Sequence, residues 1–461
     1  MQEYDIVLIG TGQATGAIVG ALTGDGKTVA TIESDRVGGS CVNYGCTPTK
    51  TLVASARAAH VVRRAGDFGV EVRDAVTRYS QVASRLNGMR SPASAGFRSW
   101  LEEVTDFYPG HASFVDAHTL RIVDSESGKQ TDIRGETIII HTGTRARKPD
   151  VPGIDAVPWL DNKGVLDLTD IPRHLIVVGG SYIGLEFAQA FRRLGSEVTV
   201  LHRGDRLIDR EDAEVGATAR EVLASEGVRI VLRASVSRVD RRDDGVEAVV
   251  SGDAAGSTIR GSHILFGIGR VPNSDALNLE RAGVTTDARG FIPVDDYGRT
   301  SVPHIYALGD VNGRGAFTHT SVHDGQVFLE HYRGTGERKI SDRTRVYSMF
   351  IDPPLARVGM SDAEARESGR PVLVARMDMS AVSRAREKAE TAGFMKFLVE
   401  TGTNKILGAT IFGVGGDEII GMLALAIQAG LPYTALQDTV LPHPTVSELV
   451  PWAFDNLSPL K

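Results

Sequence analysis

The chain has 461 residues, 42% of them hydrophobic and 24% charged, with a formal charge of −7 and two cysteines. That length gives room for roughly two to four domains around a large core, and an acidic balance without a basic block argues against nucleic acid or an anionic membrane as partner. No apolar run approaches the roughly twenty residues of a membrane span, and the start Met1-Gln2-Glu3-Tyr4-Asp5 leaves no space for a cleavable signal, so the expected compartment is the cytoplasm.

Residues 4 to 33 read as a β-α-β unit. The apolar run Ile6-Val7-Leu8-Ile9 leads into Gly10-Thr11-Gly12-Gln13-Ala14-Thr15-Gly16, a helix follows, and a second strand runs from Thr28 to Ile32 and ends at Glu33. In such a unit Gly10 makes the tight turn, Gly12 lets the backbone approach a pyrophosphate at the helix N-terminus, and Glu33 binds ribose hydroxyls. An acidic ribose partner suits an adenosine without a 2′-phosphate. Thr15 stands where a third glycine or an alanine is usual and is expected to crowd the helix against the strand, with Gly16 beside it as relief.

Both cysteines fall in the stretch Gly38-Gly39-Ser40-Cys41-Val42-Asn43-Tyr44-Gly45-Cys46-Thr47-Pro48-Thr49-Lys50. Pro48 suits the first turn of a helix, which places Cys46 at a helix N-terminus, where the dipole favours thiolate. Taken alone the stretch could be a redox pair, a metal site or a structural staple. A staple is disfavoured in a reducing compartment. Zinc wants two further ligands in matching spacing, which His60 and its neighbours do not supply, so no metal is expected.

From 47 to about 105 the pattern is long and helical, and a strand then ends at Thr142-Gly143. Residues 149 to 158 read as a linker. A second β-α-β unit starts at Leu175-Ile176-Val177-Val178, turns through Gly179-Gly180-Ser181-Tyr182-Ile183-Gly184, carries Glu186 on its helix, and reaches its second strand at 197 to 201. His202 and Arg203 follow that strand, with Arg206 and Arg210 close behind and no carboxylate at the strand end. Guanidinium donors suit a 2′-phosphate, so NADPH is favoured over NADH. Phe266 to Asn273, with Gly269, closes this unit, and Tyr306-Ala307-Leu308-Gly309-Asp310 ends another strand. Strands are expected at 372 to 377, 394 to 400 and 406 to 412, then helices, before His443-Pro444-Thr445-Val446-Ser447-Glu448. By local pattern Thr445 and Glu448 form a capping box for a helix start.

This order of motifs resembles the FAD-dependent pyridine nucleotide-disulfide oxidoreductases, the family of glutathione reductase, dihydrolipoamide dehydrogenase and mercuric reductase, over essentially the whole chain. The resemblance implies an α/β fold with two Rossmann-like dinucleotide-binding domains and a C-terminal α+β dimerisation domain. The first part of the FAD domain would cover 1–150, the NAD(P) domain 151–275, the second part of the FAD domain 276–340 and the interface domain 341–461. It further implies a homodimer. Gly10, Gly12, Glu33 and Asp310 would bind FAD, with Asp310 at the ribityl chain. Lys50 would lie by the flavin and pair with Glu186, and Tyr182 would be the aromatic lid of the nicotinamide pocket. Thr142, Gly143, Gly179, Gly184, Arg203 and Gly269 complete the candidate cofactor-binding set.

Cys46 is then the sulfur on the flavin side and Cys41 the interchange thiol that attacks substrate. Thiol exchange needs a base near neutral pKa, and His443, oriented by Glu448, is the candidate, contributed in the family by the other subunit. The expected activity is NADPH-dependent reduction of a small or carrier-bound disulfide. One alternative is a metal-ion or electrophile reductase of the mercuric-reductase type, toward which Arg203 to Asp212 and Ser383 to Glu387 lean, although this chain has no C-terminal cysteine pair. A second is a degenerate flavoprotein serving as a nucleotide sensor, with Ser181 beside the pyrophosphate position in its favour.

Overall fold

The computed structural model describes residues 1–460, and they divide into two compact units. The first comprises Met1–Thr51, Ala83–Lys148 and Ile268–Arg343. The strands Gln2–Ile9, Val29–Glu33, Gln130–Ile140 and Ile305–Ala307 and the start of Asp106–Phe114 pair in parallel, with Gln2–Ile9 between Val29–Glu33 and Gln130–Ile140. Thr119–Asp124 joins the ends of Asp106–Phe114 and Gln130–Ile140 in an antiparallel meander. Ile6, Val7, Leu8, Ile138, Ile139 and Ile140 are inaccessible to solvent. Such continuous apolar runs are what a sheet covered on both faces requires.

The second unit comprises Leu52–Val82, Pro149–Gly267 and the chain from Thr344 onward. One of its sheets is parallel, in the order His263–Phe266, His174–Val178, Glu197–Leu201, Arg229–Val231, with an antiparallel meander of Ala234–Arg242, Gly245–Gly252 and Thr258–Gly261. Another sheet has six strands, Val346–Met349, Leu355–Gly359, Ile406–Phe412, Phe394–Glu400, Val372–Asp378 and Ser458–Pro459, all antiparallel neighbours. Helix Gly416–Gln428 packs on it through Ile420, Leu423 and Ala426.

The three strands expected after residue 370 form within a residue of their expected ends. The helical stretch from 47 to 105 forms two helices, Cys46–Arg63 and Tyr79–Val104. Between them lie a short turn at Ala65–Phe68 and an exposed irregular run, because Gly66 and Gly69 weaken the helix and Val70, Val72 and Val76 find no surface to pack on. Among the described residues no helix is long and apolar enough to cross a membrane.

Candidate active site

In the first unit the glycine-rich turn is shaped by a histidine. Gly10 has φ +94°, and a Cβ there would lie 2.5 Å from the carbonyl oxygen of His141; a Cβ on Gly12 would collide with the His141 ring. His141 is buried, its Nδ1 donates to the Leu308 carbonyl at 2.9 Å, and burial holds its pKa down. Both glycines are therefore needed by the protein's own packing as well as by a close-approaching ligand. The helix that follows, Thr15–Gly24, starts without a side-chain cap; Thr15 N–H turns back to the Gly12 carbonyl at 3.1 Å, and the next N–H groups remain for an anion. Thr15 is fully buried and its hydroxyl has no partner. Gly16 does not supply the relief, since a Cβ there would meet only the Phe97 ring at 3.7 Å.

Glu33 stands at the end of the second strand and accepts from Thr11 N–H at 3.0 Å, from the Thr11 hydroxyl at 2.6 Å and from Asp35 N–H at 2.9 Å. The Thr11 hydroxyl in turn accepts from Gly38 N–H at 3.2 Å, and Gln13 Nε2 donates to the Gly38 carbonyl at 2.9 Å. The first glycine loop is thus fastened to the start of the cysteine stretch.

That stretch folds as two helices, Gly39–Tyr44 carrying Cys41 and Cys46–Arg63 beginning at Cys46. The expected helix start at Cys46 is where the chain turns; a Cβ on Gly45 would lie 2.9 Å from the Ser40 carbonyl oxygen. Both cysteines are free thiols, Cys41 half-buried and Cys46 exposed. The Thr318 hydroxyl lies between them, donating to Cys41 Sγ at 2.9 Å and 3.3 Å from Cys46 Sγ. A hydrogen bond from Cys41, the Thr318 hydroxyl and the charge of Lys50 outweigh burial and lower the Cys46 pKa to about 6, while the same bond and burial push Cys41 up. The two sulfurs are unlike: their surroundings favour the thiolate at Cys46 and the proton at Cys41. Thr318 opens the helix Thr318–Arg333. Nothing in its sequence context singles it out beyond a threonine at a helix start, which reads as a cap.

The remaining residues expected in this unit cluster around Thr144. Asp310 accepts from the Thr144 hydroxyl at 3.0 Å, and burial raises its pKa. Arg270 Nε donates to that same hydroxyl at 2.8 Å, and Thr142 and Asn273 exchange two hydrogen bonds of 2.8 Å. Gly143 and Gly269 both have positive φ, with open space where a Cβ would be.

In the second unit Gly179 has φ +119° and a Cβ there would run into the Gly267 carbonyl; a Cβ on Gly184 would run into that of Gly179. Ser181 precedes helix Tyr182–Leu194 but its hydroxyl does not cap it, so this helix too begins with free N–H groups. Glu186 is buried and accepts from Phe350 N–H at 2.7 Å. His202 Nδ1 accepts from Gly180 N–H at 3.1 Å, which leaves Nε2 as its donor to the Asp209 carboxylate at 3.1 Å. Arg203 and Arg210 are exposed, and Arg206 donates to the Asp209 carbonyl at 2.9 Å. The strand end lacks a carboxylate of its own, but Asp209 folds back to it.

His443 Nδ1 lies 2.9 Å from Glu448 Oε2, with the ring 77% exposed. The Thr445 hydroxyl accepts from Glu448 N–H at 3.2 Å. Half of the capping box forms, and the Glu448 carboxylate goes to the histidine. Among the described residues no group of three or more His, Cys, Asp or Glu side chains is placed to hold a metal ion.

Two uncapped helix starts behind glycine turns, each at the end of a parallel strand, fit two dinucleotides. The family model described as pyridine nucleotide-disulphide oxidoreductase matches residues 4–325, and the model of that family's dimerisation domain matches 346–454. The chain is 36% identical over 452 residues to the probable pyridine nucleotide-disulfide oxidoreductase RclA of Escherichia coli, covering 97% of this chain and 98% of that one. It is 31% identical to a mercuric reductase of Streptomyces lividans, covering 99% and 96%, and 32% identical to a dihydrolipoyl dehydrogenase of Chlamydia pneumoniae, covering 98% and 96%. A solved Cu(II) complex of the HOCl-induced flavoprotein disulfide reductase RclA from E. coli superposes with a TM-score of 0.90 at 33% identity, over 99% of each chain. With two dinucleotide turns, an unlike pair of sulfurs and these matches end to end, the chain belongs to the pyridine nucleotide-disulfide oxidoreductases, a family of FAD-dependent oxidoreductases.

Proposed function

We propose that the chain is an NADPH-dependent disulfide reductase that works as a cytoplasmic homodimer on a small or carrier-bound disulfide. The observation that carries this reading is the inequality of Cys41 and Cys46. FAD, held by Gly10, Gly12, Glu33 and Asp310, would supply two-electron exchange between a nicotinamide and the cysteine pair. Gly179, Gly184 and Arg203 would hold NADPH, and the pairing of Lys50 with Glu186 belongs to the same proposal.

The sulfur chemistry follows from this chain's own groups. Cys41 is held as the thiol, so a base must take its proton before its sulfur attacks one sulfur of the substrate disulfide. His443 is that base: Glu448 occupies its Nδ1, which leaves Nε2 for the proton. The attack releases one substrate thiolate, which takes the proton from His443. Cys46, already a thiolate, then displaces the second substrate thiolate from Cys41 and closes the Cys41–Cys46 disulfide. One thiol and one thiolate become one disulfide in the protein, and one disulfide becomes one thiol and one thiolate in the substrate, so electrons and protons balance. In the dimer proposed here His443 serves the partner's sulfurs.

The test is to reduce the enzyme with NADPH without oxygen and then add disulfides and metal ions while watching the flavin; reoxidation by a disulfide supports this reading. The relatives favour one second reading, reduction of a soft metal ion, because mercuric reductases and a Cu(II) complex stand among them. Reoxidation by Hg(II) or Cu(II) alone would select it, and a flavin that NADPH does not bleach would select a nucleotide sensor. His443→Ala is expected to leave reduction by NADPH intact and to slow disulfide turnover on the order of a hundredfold; equal loss of both rejects the base. Cys41→Ser should keep a long-wavelength thiolate-to-flavin absorbance that Cys46→Ser lacks. In the reduced wild-type chain, where the hydrogen bond from Cys41 helps to lower the Cys46 pKa to about 6, the same band should persist at neutral pH and fade as pH drops through that value. Fading near about 8.5, the ordinary thiol value, would overturn the assignment.

A further inference from the structure

Tyr182 opens the helix behind the second glycine turn, and its hydroxyl donates to Glu211 Oε1 at 2.5 Å. Tyr347 donates to the same oxygen at 2.6 Å, and Arg357 pairs with Oε2. The Glu211 side chain is wholly buried and Arg357 is 1% exposed. Tyr347 and Arg357 face each other across the neighbouring strands Val346–Met349 and Leu355–Gly359, so one sheet face presents both donors. The Tyr182 and Tyr347 rings lie 6.0 Å apart. Glu211 is itself fixed to the glycine turn, because Glu211 N–H donates to the Ile208 carbonyl at 2.8 Å and Ile208 N–H to the Gly180 carbonyl at 2.9 Å.

We propose that Glu211 is a positioning residue that latches Tyr182 and that Tyr347 sets the strength of the latch by competing for the same carboxylate oxygen; this rests on the reading of Tyr182 as the lid of the nicotinamide pocket. A lid that moves to admit a nicotinamide must give up its bond to Glu211. A buried carboxylate left with no donor would resist that strongly. Arg357 and Tyr347 stay bonded to Glu211 when Tyr182 leaves, so opening strands no charge. Two phenols on one oxygen each weaken the other's bond. Removing the Tyr347 hydroxyl therefore tightens the hold on Tyr182, and removing the Tyr182 hydroxyl abolishes it.

The experiment is rapid reduction of the flavin-loaded enzyme by NADPH, separating apparent Kd from limiting rate, with flavin content and thermal unfolding as controls. Tyr182→Phe should lower the apparent Kd and Tyr347→Phe should raise it, each by roughly three- to tenfold, the net scale of one hydrogen bond. In the Tyr182→Phe background, Tyr347→Phe should have no further effect. Shifts of the same sign, additive shifts, or a shift from Tyr182→Phe alone overturn the latch. Tyr182→Ala separates the two levels: if it changes NADPH reduction while the phenylalanine variants do not, the latch falls and the lid stands. If Tyr182→Ala changes nothing, the lid falls and takes the latch with it.

Discussion

The two glycine turns share a topology and an uncapped helix start, yet they close their strand ends with opposite chemistry. At the first, the Glu33 carboxylate accepts from Thr11 and Asp35 and leaves a negative charge at the strand end. At the second, the neutral His202 ring accepts from Gly180 N–H and passes its remaining N–H to Asp209, with Arg203 and Arg210 exposed nearby. The residue at the second strand's end thus ties down the turn and, in the proposed reading, has a second job, setting the charge that a ribose meets. Any hydrogen-bond acceptor can do the first. Only its charge decides the second.

The two turns should respond differently when their glycines are replaced by alanine. Gly12→Ala should cost the protein its flavin on purification, because the new Cβ meets a buried imidazole. Since that obstacle is a side chain, Gly12→Ala combined with His141→Ala should recover thermal stability, although the new Cβ still stands where the pyrophosphate approaches. Gly179→Ala meets backbone at positive φ and has no such rescue. It should raise the NADPH concentration needed for reduction by at least about tenfold while the flavin stays bound, reflecting strain of about 1–3 kcal/mol. Loss of both nucleotides from either variant would show that the turns are not independent.

Charge at the second strand end comes next in size. Arg203→Glu should move preference from NADPH toward NADH by about tenfold, the worth of one exposed charge-assisted contact; an unchanged ratio of kcat/KM values would place the 2′-phosphate elsewhere. A smaller effect is expected at Asp209, which lies beside that phosphate position as a like charge. Asp209→Asn should sharpen NADPH preference by roughly threefold at low salt and by less at high salt.

The strands, both turns and the helix start at Cys46 were legible because each is a local pattern of apolar runs and glycines. The His443 and Glu448 pair was legible too, although the same residues spell a cap; the fold divides the labour, with the Thr445 hydroxyl capping Glu448 N–H and the carboxylate turning to the ring. What stayed hidden is non-local. Thr318 meets sulfurs more than 270 residues away, and Glu211 receives Tyr347 and Arg357 from a sheet more than 130 residues on. His141 directly follows the buried strand Gln130–Ile140, and only its packing beneath Gly12 gives it a task. Asp209 escaped notice because a loop, not the strand, returns it to His202.

The Cys41–Cys46 pair has one more consequence. The chain contains no other cysteine, so thiol labelling carries no background. The number of alkyl groups that an intact chain gains in a mass spectrum, two when the pair is reduced and none when it is closed, counts redox equivalents directly, and a chain that gains one is caught midway with substrate still attached.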